Sequence, residues 1–264
     1  MMKNNEIKIL CIGNSFSEDT TSRLAEIALH SGFSKIKAAN LYVGGCSISK
    51  HCIHAEQDLP VYRYSVNEGN GWSHTPKYKI SDAIQSDDWD WISIQHGTGD
   101  KSRYTELASY EKLPWLIDYT KKLAPCKTKI AFNMTWVGES DFPHEEIQYY
   151  GGDQILIYEK IARLTKDHIL TLPGIDAISP AGTAVQNART AGIGCLTRDG
   201  FHLSLDTGRY IAGMTFFKAL TGADISNVPM VKCENDYAKR VAVEAVNNAI
   251  AEPFRISYSR LNEG

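Results

Sequence analysis

Residues 7–17 read Ile-Lys-Ile-Leu-Cys-Ile-Gly-Asn-Ser-Phe-Ser, and this stretch predicts the joint between a first strand and a first helix. The apolar run at 7–12 is typical of a buried strand, and apolar residues at helical spacing follow the joint. Ser15 would lie on the turn between them. In an open parallel sheet that turn is at the carboxyl edge, where ligands bind. Ser15 is therefore a candidate nucleophile, although Asn14 and Ser15 equally suit a plain turn and helix cap.

An Asp-x-x-His motif lies far downstream, at Asp199 and His202. Its spacing lets the carboxylate orient the imidazole from a loop or a single helical turn. A serine nucleophile needs a base, and the base needs an orienting group. These three groups occur in the order Ser15, Asp199, His202, so the two motifs together predict a catalytic triad.

The chain resembles the SGNH (GDSL-like) hydrolases over residues 7–222, and within them a branch whose first block is Gly-Asn-Ser-Phe-Ser, found here at 13–17. The resemblance implies that Ser15 is the nucleophile of a serine esterase. It also implies that His202 is the general base and that Asp199 orients it. Such a mechanism needs no metal and no organic cofactor.

The oxyanion hole matches this family only in part. A second-block glycine donates its N–H in the family, and Gly45 is the matching residue. The family's third block, Gly-x-Asn-Asp, supplies an Asn side chain, but the corresponding stretch at 95–100 carries Gly99 in that place. We therefore predict that the N–H groups of Ser15 and Gly45, together with the side-chain amide of Gln95, bind the oxyanion.

Four further side chains lie at the carboxyl ends of predicted strands or just after them, and are expected at the same edge of the sheet. The candidates for substrate contact are Asn14, His96, Asn133 and Trp136. His96 is also the alternative base if His202 lies elsewhere, because histidine is the usual general base near neutral pH.

Composition and charge limit the partners. A net charge of −3 and the lack of a basic run argue against a nucleic-acid binder. No apolar stretch approaches the roughly 18 residues that span a bilayer. The N-terminus leads straight into the first strand, so we expect a cytoplasmic protein, or a secreted one if a signal peptide has been removed. The expected partner is a small-molecule or carbohydrate ester, and a homo-oligomer stays open.

The six cysteines are scattered, without a C-x-x-C pair, and are expected to be mostly reduced and buried. Cysteine and histidine do alternate in one segment, at Cys46, His51, Cys52 and His54. Because this spacing fits no common zinc pattern, we predict packed or solvated side chains there and no metal site.

Strand and helix signals alternate along the chain, which predicts one domain over residues 1–264. The expected fold is a three-layer α/β/α sandwich with a five-stranded parallel sheet, and the family resemblance implies a flavodoxin-like strand order. A small β-hairpin insertion is predicted at 61–80, either beside the site, at a dimer contact or as a plain surface feature. A C-terminal helix is predicted at 236–251.

Three functions remain open on this basis. The first is an SGNH-type serine esterase that removes acetyl or other acyl groups from a carbohydrate or small molecule. The second is a non-catalytic carbohydrate- or ligand-binding protein with a degenerate site, which Gly99 favours. The third is a nucleotide or phosphate binder that uses the Ser15 turn, although no P-loop pattern is present.

Overall fold

The computed structural model describes residues 5–96, 103–193, 196–233 and 235–261. Within them, seven strands form one sheet. They are β1 (Glu6–Gly13), β2 (Lys35–Tyr42), β3 (Tyr62–Asn67), β4 (Trp72–Tyr78), β5 (Trp91–Gln95), β6 (Lys129–Asn133) and β7 (Ala177–Ser179). The strand order is β4-β3-β2-β1-β5-β6-β7.

Five neighbouring strands, β2, β1, β5, β6 and β7, are mutually parallel and have the flavodoxin-like order that the family resemblance implies. Their sequences are apolar on both faces because helices cover both faces. In β1, Ile9 packs into the core on one side, whereas Leu10 and Ile12 pack into the core on the other. The carboxyl ends of these strands therefore meet at one edge of the sheet.

The prediction of a five-stranded parallel sheet is wrong in one respect, because the hairpin adds two antiparallel strands to the sheet. Strand β3 pairs antiparallel with β2, and β4 pairs antiparallel with β3, so the hairpin extends the sheet at one end. The mixed sheet is larger than predicted because the free edge of β2 offers its unpaired N–H and C=O groups to the hairpin. The outer strand is irregular: the register shifts opposite Tyr62 and Tyr64, and Lys77, just after Pro76, has a φ of 56°.

Ten α-helices are assigned within the described residues. They are α1 (Ser15–Thr21), α2 (Leu24–His30), α3 (Ile48–Glu56), α4 (Ile80–Gln85), α5 (Leu113–Leu123), α6 (Glu145–Tyr149), α7 (Gln154–Leu164), α8 (Ala181–Arg189), α9 (Thr207–Thr221) and α10 (Asp236–Ala251). Buried side chains of α1, α2, α8, α9 and α10 share one core, and those of α3, α4 and α5 share a second core across the sheet. In the part of the chain that the structure describes, no helix has the length and apolar character to cross a bilayer.

One predicted helix differs in its N-terminal part. The sequence predicts a helix over 104–123 with a kink or break at Pro114, but the structure has a short 3-10 turn, Leu107–Tyr110, followed by α5. Pro114 lies in the first turn of α5. Proline fits this position because the first N–H groups of a helix have no partner within the helix.

The second core contains a buried histidine, His51 of α3, which joins this helix to the hairpin. Its Nδ1 lies 2.8 Å from the hydroxyl of Tyr62 in β3. Burial, with a smaller contribution from His54, lowers the pKa of His51 from 6.5 to about 3. The fold therefore holds this imidazole neutral, whereas the unfolded chain protonates it below about pH 6.5.

We expect His51 to make the protein acid-sensitive. Since the folded pKa is below the unfolded one, its contribution to stability is complete above pH 6.5 and is lost as the pH falls below that value. Between pH 7.5 and pH 5 this loss amounts to about 2 kcal/mol of unfolding free energy. Urea denaturation at both pH values measures the free energy of unfolding. Between pH 7.5 and pH 5, His51→Gln should lose less of this free energy than the wild type does, by this amount. The exposed control His30→Gln should lose as much unfolding free energy between the two pH values as the wild type. If His51→Gln also lost as much as the wild type, the role that we assign to His51 would be contradicted.

Candidate active site

The turn after β1 places Ser15 at the first position of α1, with Asn14 as the helix cap. The side-chain oxygen of Asn14 accepts the N–H of Phe16 at 3.0 Å, which satisfies one of the free N–H groups at the helix start. Gly13 just before it is tightly enclosed: a Cβ there would lie 2.8 Å from the Cβ of Ser17 and 2.9 Å from the Cδ of Gln95. A glycine is thus required for the close approach of β1, α1 and β5 at this joint.

The structure joins Ser15, His202 and Asp199 in one chain of hydrogen bonds. The Oγ of Ser15 lies 2.9 Å from Nε2 of His202, and Nδ1 of His202 lies 2.7 Å from Oδ2 of Asp199. An ionised carboxylate can only accept, so Nδ1 carries the proton and donates it to Asp199. Nε2 is then the free acceptor for the serine hydroxyl. Sequence positions 15 and 202 meet because the turn after β1 and the loop before α9 lie at the same edge of the sheet.

The loop that carries Asp199 and His202 is held in shape by its own hydrogen bonds. Oδ1 of Asp199 accepts the N–H groups of Phe201 at 3.0 Å and His202 at 2.7 Å. The N–H of Arg198 donates to the carbonyl of His202 at 2.8 Å. Burial by itself raises the pKa of Asp199, but the N–H and imidazole of His202 and the N–H of Phe201 outweigh it and hold this pKa below its ordinary value. The carboxylate is therefore charged at neutral pH.

The side chain of Asn14 binds one turn and one strand end beside Ser15. Its Nδ2 donates to the carbonyl of Cys46 at 3.1 Å, in the turn after β2 that contains Gly45. Its Oδ1 accepts from Nε2 of Gln95, at the end of β5, at 2.8 Å. Gly45 has a φ of 58°, a left-handed conformation that favours glycine. Asn14 thus supports the architecture of the site, and a substrate contact for it stays a prediction.

Of the predicted oxyanion donors, Gln95 is held by a hydrogen bond within the site. One amide hydrogen of Gln95 is engaged by Asn14, and the Gln95 side chain is almost fully buried. Its role as an oxyanion donor stays a prediction, as do the roles of the Ser15 and Gly45 N–H groups. Gly99 lies outside the described residues.

Three of the predicted substrate contacts are buried beside the site. Trp136 donates its indole N–H to the carbonyl of Phe201 at 2.9 Å, and Asn133 donates to Thr20 of α1 at 3.2 Å. His96 packs between tyrosine rings, and burial lowers its pKa to about 3, so it is neutral near pH 7. These contacts show Trp136 supporting the loop that carries Asp199 and His202, and Asn133 supporting the helix that carries Ser15. Substrate contacts for all three residues stay predictions.

The segment rich in cysteine and histidine forms a small buried cluster. The sulfur of Cys46 lies 3.5 Å from Nδ1 of His51 and 3.9 Å from Nδ1 of His54. Among the residues that the structure describes, no group of three or more His, Cys, Asp or Glu side chains is arranged to hold a metal ion.

The sequence analysis missed Asp19, which binds the loop beside His202. This fully buried carboxylate accepts the N–H of Leu203 at 2.8 Å and a guanidinium N–H of Arg198 at 2.9 Å. Its spacing from Ser15, one helical turn, was the only available signal. Its partners lie more than 175 positions away, so the sequence pattern could not reveal them.

A family model described as a domain of unknown function (DUF4886) matches residues 8–250. A crystal structure of a DUF4886 family protein from Bacteroides uniformis has a TM-score of 0.88 and 32% sequence identity, covering 96% of this chain and 97% of that one. No curated protein matches the sequence.

Two solved structures at lower identity were also compared with this chain. Axe2, an acetylxylan esterase from Geobacillus stearothermophilus, has a TM-score of 0.50 and 13% identity, covering 83% of this chain and 97% of that one. TesA has a TM-score of 0.46 and 10% identity, covering 81% of this chain and 98% of that one. The fold of this chain is therefore also found in an acetylxylan esterase. The particular branch with Gly-Asn-Ser-Phe-Ser stays a prediction.

We expect Asn14→Ala to reduce both stability and any reaction at Ser15. The change removes a helix cap and leaves the carbonyl of Cys46 and the amide of Gln95 without this partner, which together cost about 2–4 kcal/mol. Chemical denaturation at pH 7.5 measures the loss of stability, and the labelling rate of Ser15 by a fluorophosphonate measures its reactivity.

Asn235→Ala is the matched control because Asn235 also caps a helix, accepting the N–H of Tyr237 at 2.8 Å at the start of α10. Its loss should cost about 1 kcal/mol and leave the labelling of Ser15 unchanged. Equal stability losses in the two variants would contradict the role that we assign to Asn14.

Proposed function

We propose that this chain, which belongs to the DUF4886 family, is a serine esterase that hydrolyses a carboxylic ester through an acyl-enzyme on Ser15. The observation that carries the proposal is the continuous hydrogen-bonded line from Ser15 through His202 to Asp199. A serine that only turns the chain or caps a helix has no need of an imidazole at 2.9 Å or of a carboxylate behind that imidazole.

The reaction follows from this geometry. Nε2 of His202 takes the proton of the Ser15 hydroxyl while Oγ attacks the ester carbonyl. The charged Asp199 holds the proton on Nδ1 and stabilises the imidazolium that forms. His202 then gives its proton to the leaving alcohol. Water, activated by the same imidazole, attacks the acyl-enzyme, releases the acid and restores the Ser15 hydroxyl.

The negative charge of the tetrahedral intermediate needs hydrogen-bond donors. We assign this role to the N–H groups of Ser15 and Gly45, helped by the second amide hydrogen of Gln95. The contact between Asn14 and the Cys46 carbonyl supports this assignment, because it holds the Gly45 turn against the nucleophile. Removing one such donor typically raises the barrier by about 3 kcal/mol.

A carbohydrate ester is the substrate that we propose, with acetyl as the acyl group. The support is the shared fold with an acetylxylan esterase, and a fold by itself does not fix a substrate. The alternative is a non-catalytic carbohydrate- or ligand-binding protein. The hydrogen-bonded chain of Ser15, His202 and Asp199 favours catalysis over this alternative.

We expect Ser15→Ala to lower the hydrolysis of p-nitrophenyl acetate by at least about 10⁴-fold, because the nucleophile is lost. Ser226→Ala is the control, since Ser226 is exposed and its hydroxyl donates to Asp224. A fluorophosphonate should modify the wild type on Ser15, as peptide mass analysis can show. Full turnover by Ser15→Ala would refute the proposal.

For the substrate class, we expect Ser15-dependent release of acetate from acetylated xylo-oligosaccharides. Peracetylated monosaccharides and simple aryl acetates serve as comparison substrates. Turnover of aryl acetates without any release from acetylated sugars would reject the carbohydrate assignment while leaving the esterase assignment intact. No turnover and no fluorophosphonate adduct would favour the binding-protein alternative.

A further inference from the structure

We propose that Asp19 is a positioning residue that fixes His202 against Ser15, so that the proposed esterase reaction depends on it although it touches no reacting atom. The inference rests on the proposed function. Asp19 lies four residues after Ser15 in α1, one helical turn away and therefore on the same side of the helix. Its side chain is almost fully buried, which is rare for a carboxylate without strong partners.

The carboxylate of Asp19 binds both ends of the loop that carries the base. Oδ2 accepts the main-chain N–H of Leu203, the residue after His202, at 2.8 Å. Oδ1 accepts a hydrogen bond from Nη1 of Arg198, the residue before Asp199, at 2.9 Å. The same guanidinium also donates to the carbonyl of Leu203. One side chain on the nucleophile's helix therefore holds the loop immediately before its catalytic carboxylate and immediately after its catalytic imidazole.

A second guanidinium completes the arrangement and anchors it to α9. Nε and Nη2 of Arg209 lie 2.9 Å and 2.7 Å from Oδ1 of Asp19. Charge-assisted hydrogen bonds of this kind are roughly twice as strong as neutral ones and are strongly directional. With two cations around one carboxylate, removal of Asp19 leaves two positive groups facing each other beside the loop.

The loop is a preformed unit, so its docking on α1 determines where the imidazole lies. Its two sides are joined by an isolated antiparallel bridge between Thr197 and Leu203, and Asp199 accepts the N–H groups of its turn. Phe16 of α1 also packs on Phe201, with ring centroids 4.8 Å apart. Such an apolar contact tolerates sliding, whereas the hydrogen bonds to Asp19 fix distance and direction. A displacement of about 1 Å between reacting groups can cost roughly 10²-fold in rate.

The test compares Asp19→Ala with Glu26→Ala. Glu26 is a matched control because it is a carboxylate on the next helix, α2, that also binds α9, accepting the hydroxyl of Tyr210 at 2.7 Å. With p-nitrophenyl acetate, we expect Asp19→Ala to lower kcat about 10²-fold with little change in KM. Glu26→Ala should keep kcat within about twofold of the wild type, since it binds no part of the catalytic loop. Equal losses in the two variants would overturn the proposal.

A double-mutant cycle separates positioning from general stability. If Asp19 acts through His202, then adding Asp19→Ala to His202→Ala should lower Tm but not lower the residual rate further. A further loss of rate in the His202→Ala background would overturn the proposal. If Asp19→Ala does not fold, Arg198→Gln keeps Asp19 paired with Arg209 and should show the same pattern with a smaller loss of kcat.

Nitrogen NMR of the His202 imidazole tests the positioning without any turnover. Its two ring nitrogens report the hydrogen bonds to Ser15 and Asp199. We expect Asp19→Ala or Arg198→Gln to shift these signals toward those of a free imidazole, and Glu26→Ala to leave them unchanged. Unchanged signals in the first two variants would overturn the inference. A wild-type rate that does not depend on Ser15 would instead refute the proposed function, and the NMR result would then decide the positioning role alone.

Discussion

The side chain of Asn14 is the contact on which the candidate site depends. The carboxyl ends of β2, β1 and β5 are neighbours in the sheet, and they must lie within a few ångströms of one another for their groups to act on one substrate. A single buried amide meets this requirement, since it caps α1, accepts from Gln95 at the end of β5 and donates to Cys46 after β2. The parallel sheet brings the turns to one edge, and the directional bonds of Asn14 fix their mutual distances.

The loop that carries Asp199 and His202 is held from two sides by different kinds of interaction. On one side, buried charges join it to α1 and α9 through Asp19. On the other side, the ring of Phe16 lies 4.6 Å from that of Trp136 and 4.8 Å from that of Phe201. The indole N–H of Trp136 also binds the main chain of the loop. Preorganisation of this kind means that little rearrangement is needed for the proton transfer that we propose.

The sequence was most informative where a local pattern had a local cause. The apolar run before Gly13 and the polar turn after it placed Ser15, and the Asp-x-x-His spacing placed Asp199 beside His202. Pairings between distant segments were less accessible. Alternation predicted the two strands of the hairpin but not that β3 would join β2, because period-two alternation does not specify a partner. Asp19 was missed for the same reason, since its meaning depends on arginines in another part of the chain.

The irregular outer strand β4 has a consequence for how copies of this chain can meet. Pro76 has no N–H to offer, and the neighbouring Lys77 turns the backbone into a left-handed conformation within the register shift. A further strand cannot form a continuous ladder along such an edge, and a charged lysine there opposes the approach of an apolar one. The hairpin thus covers the edge of β2 and ends the sheet on a strand whose irregular outer edge disfavours pairing with a strand of another copy.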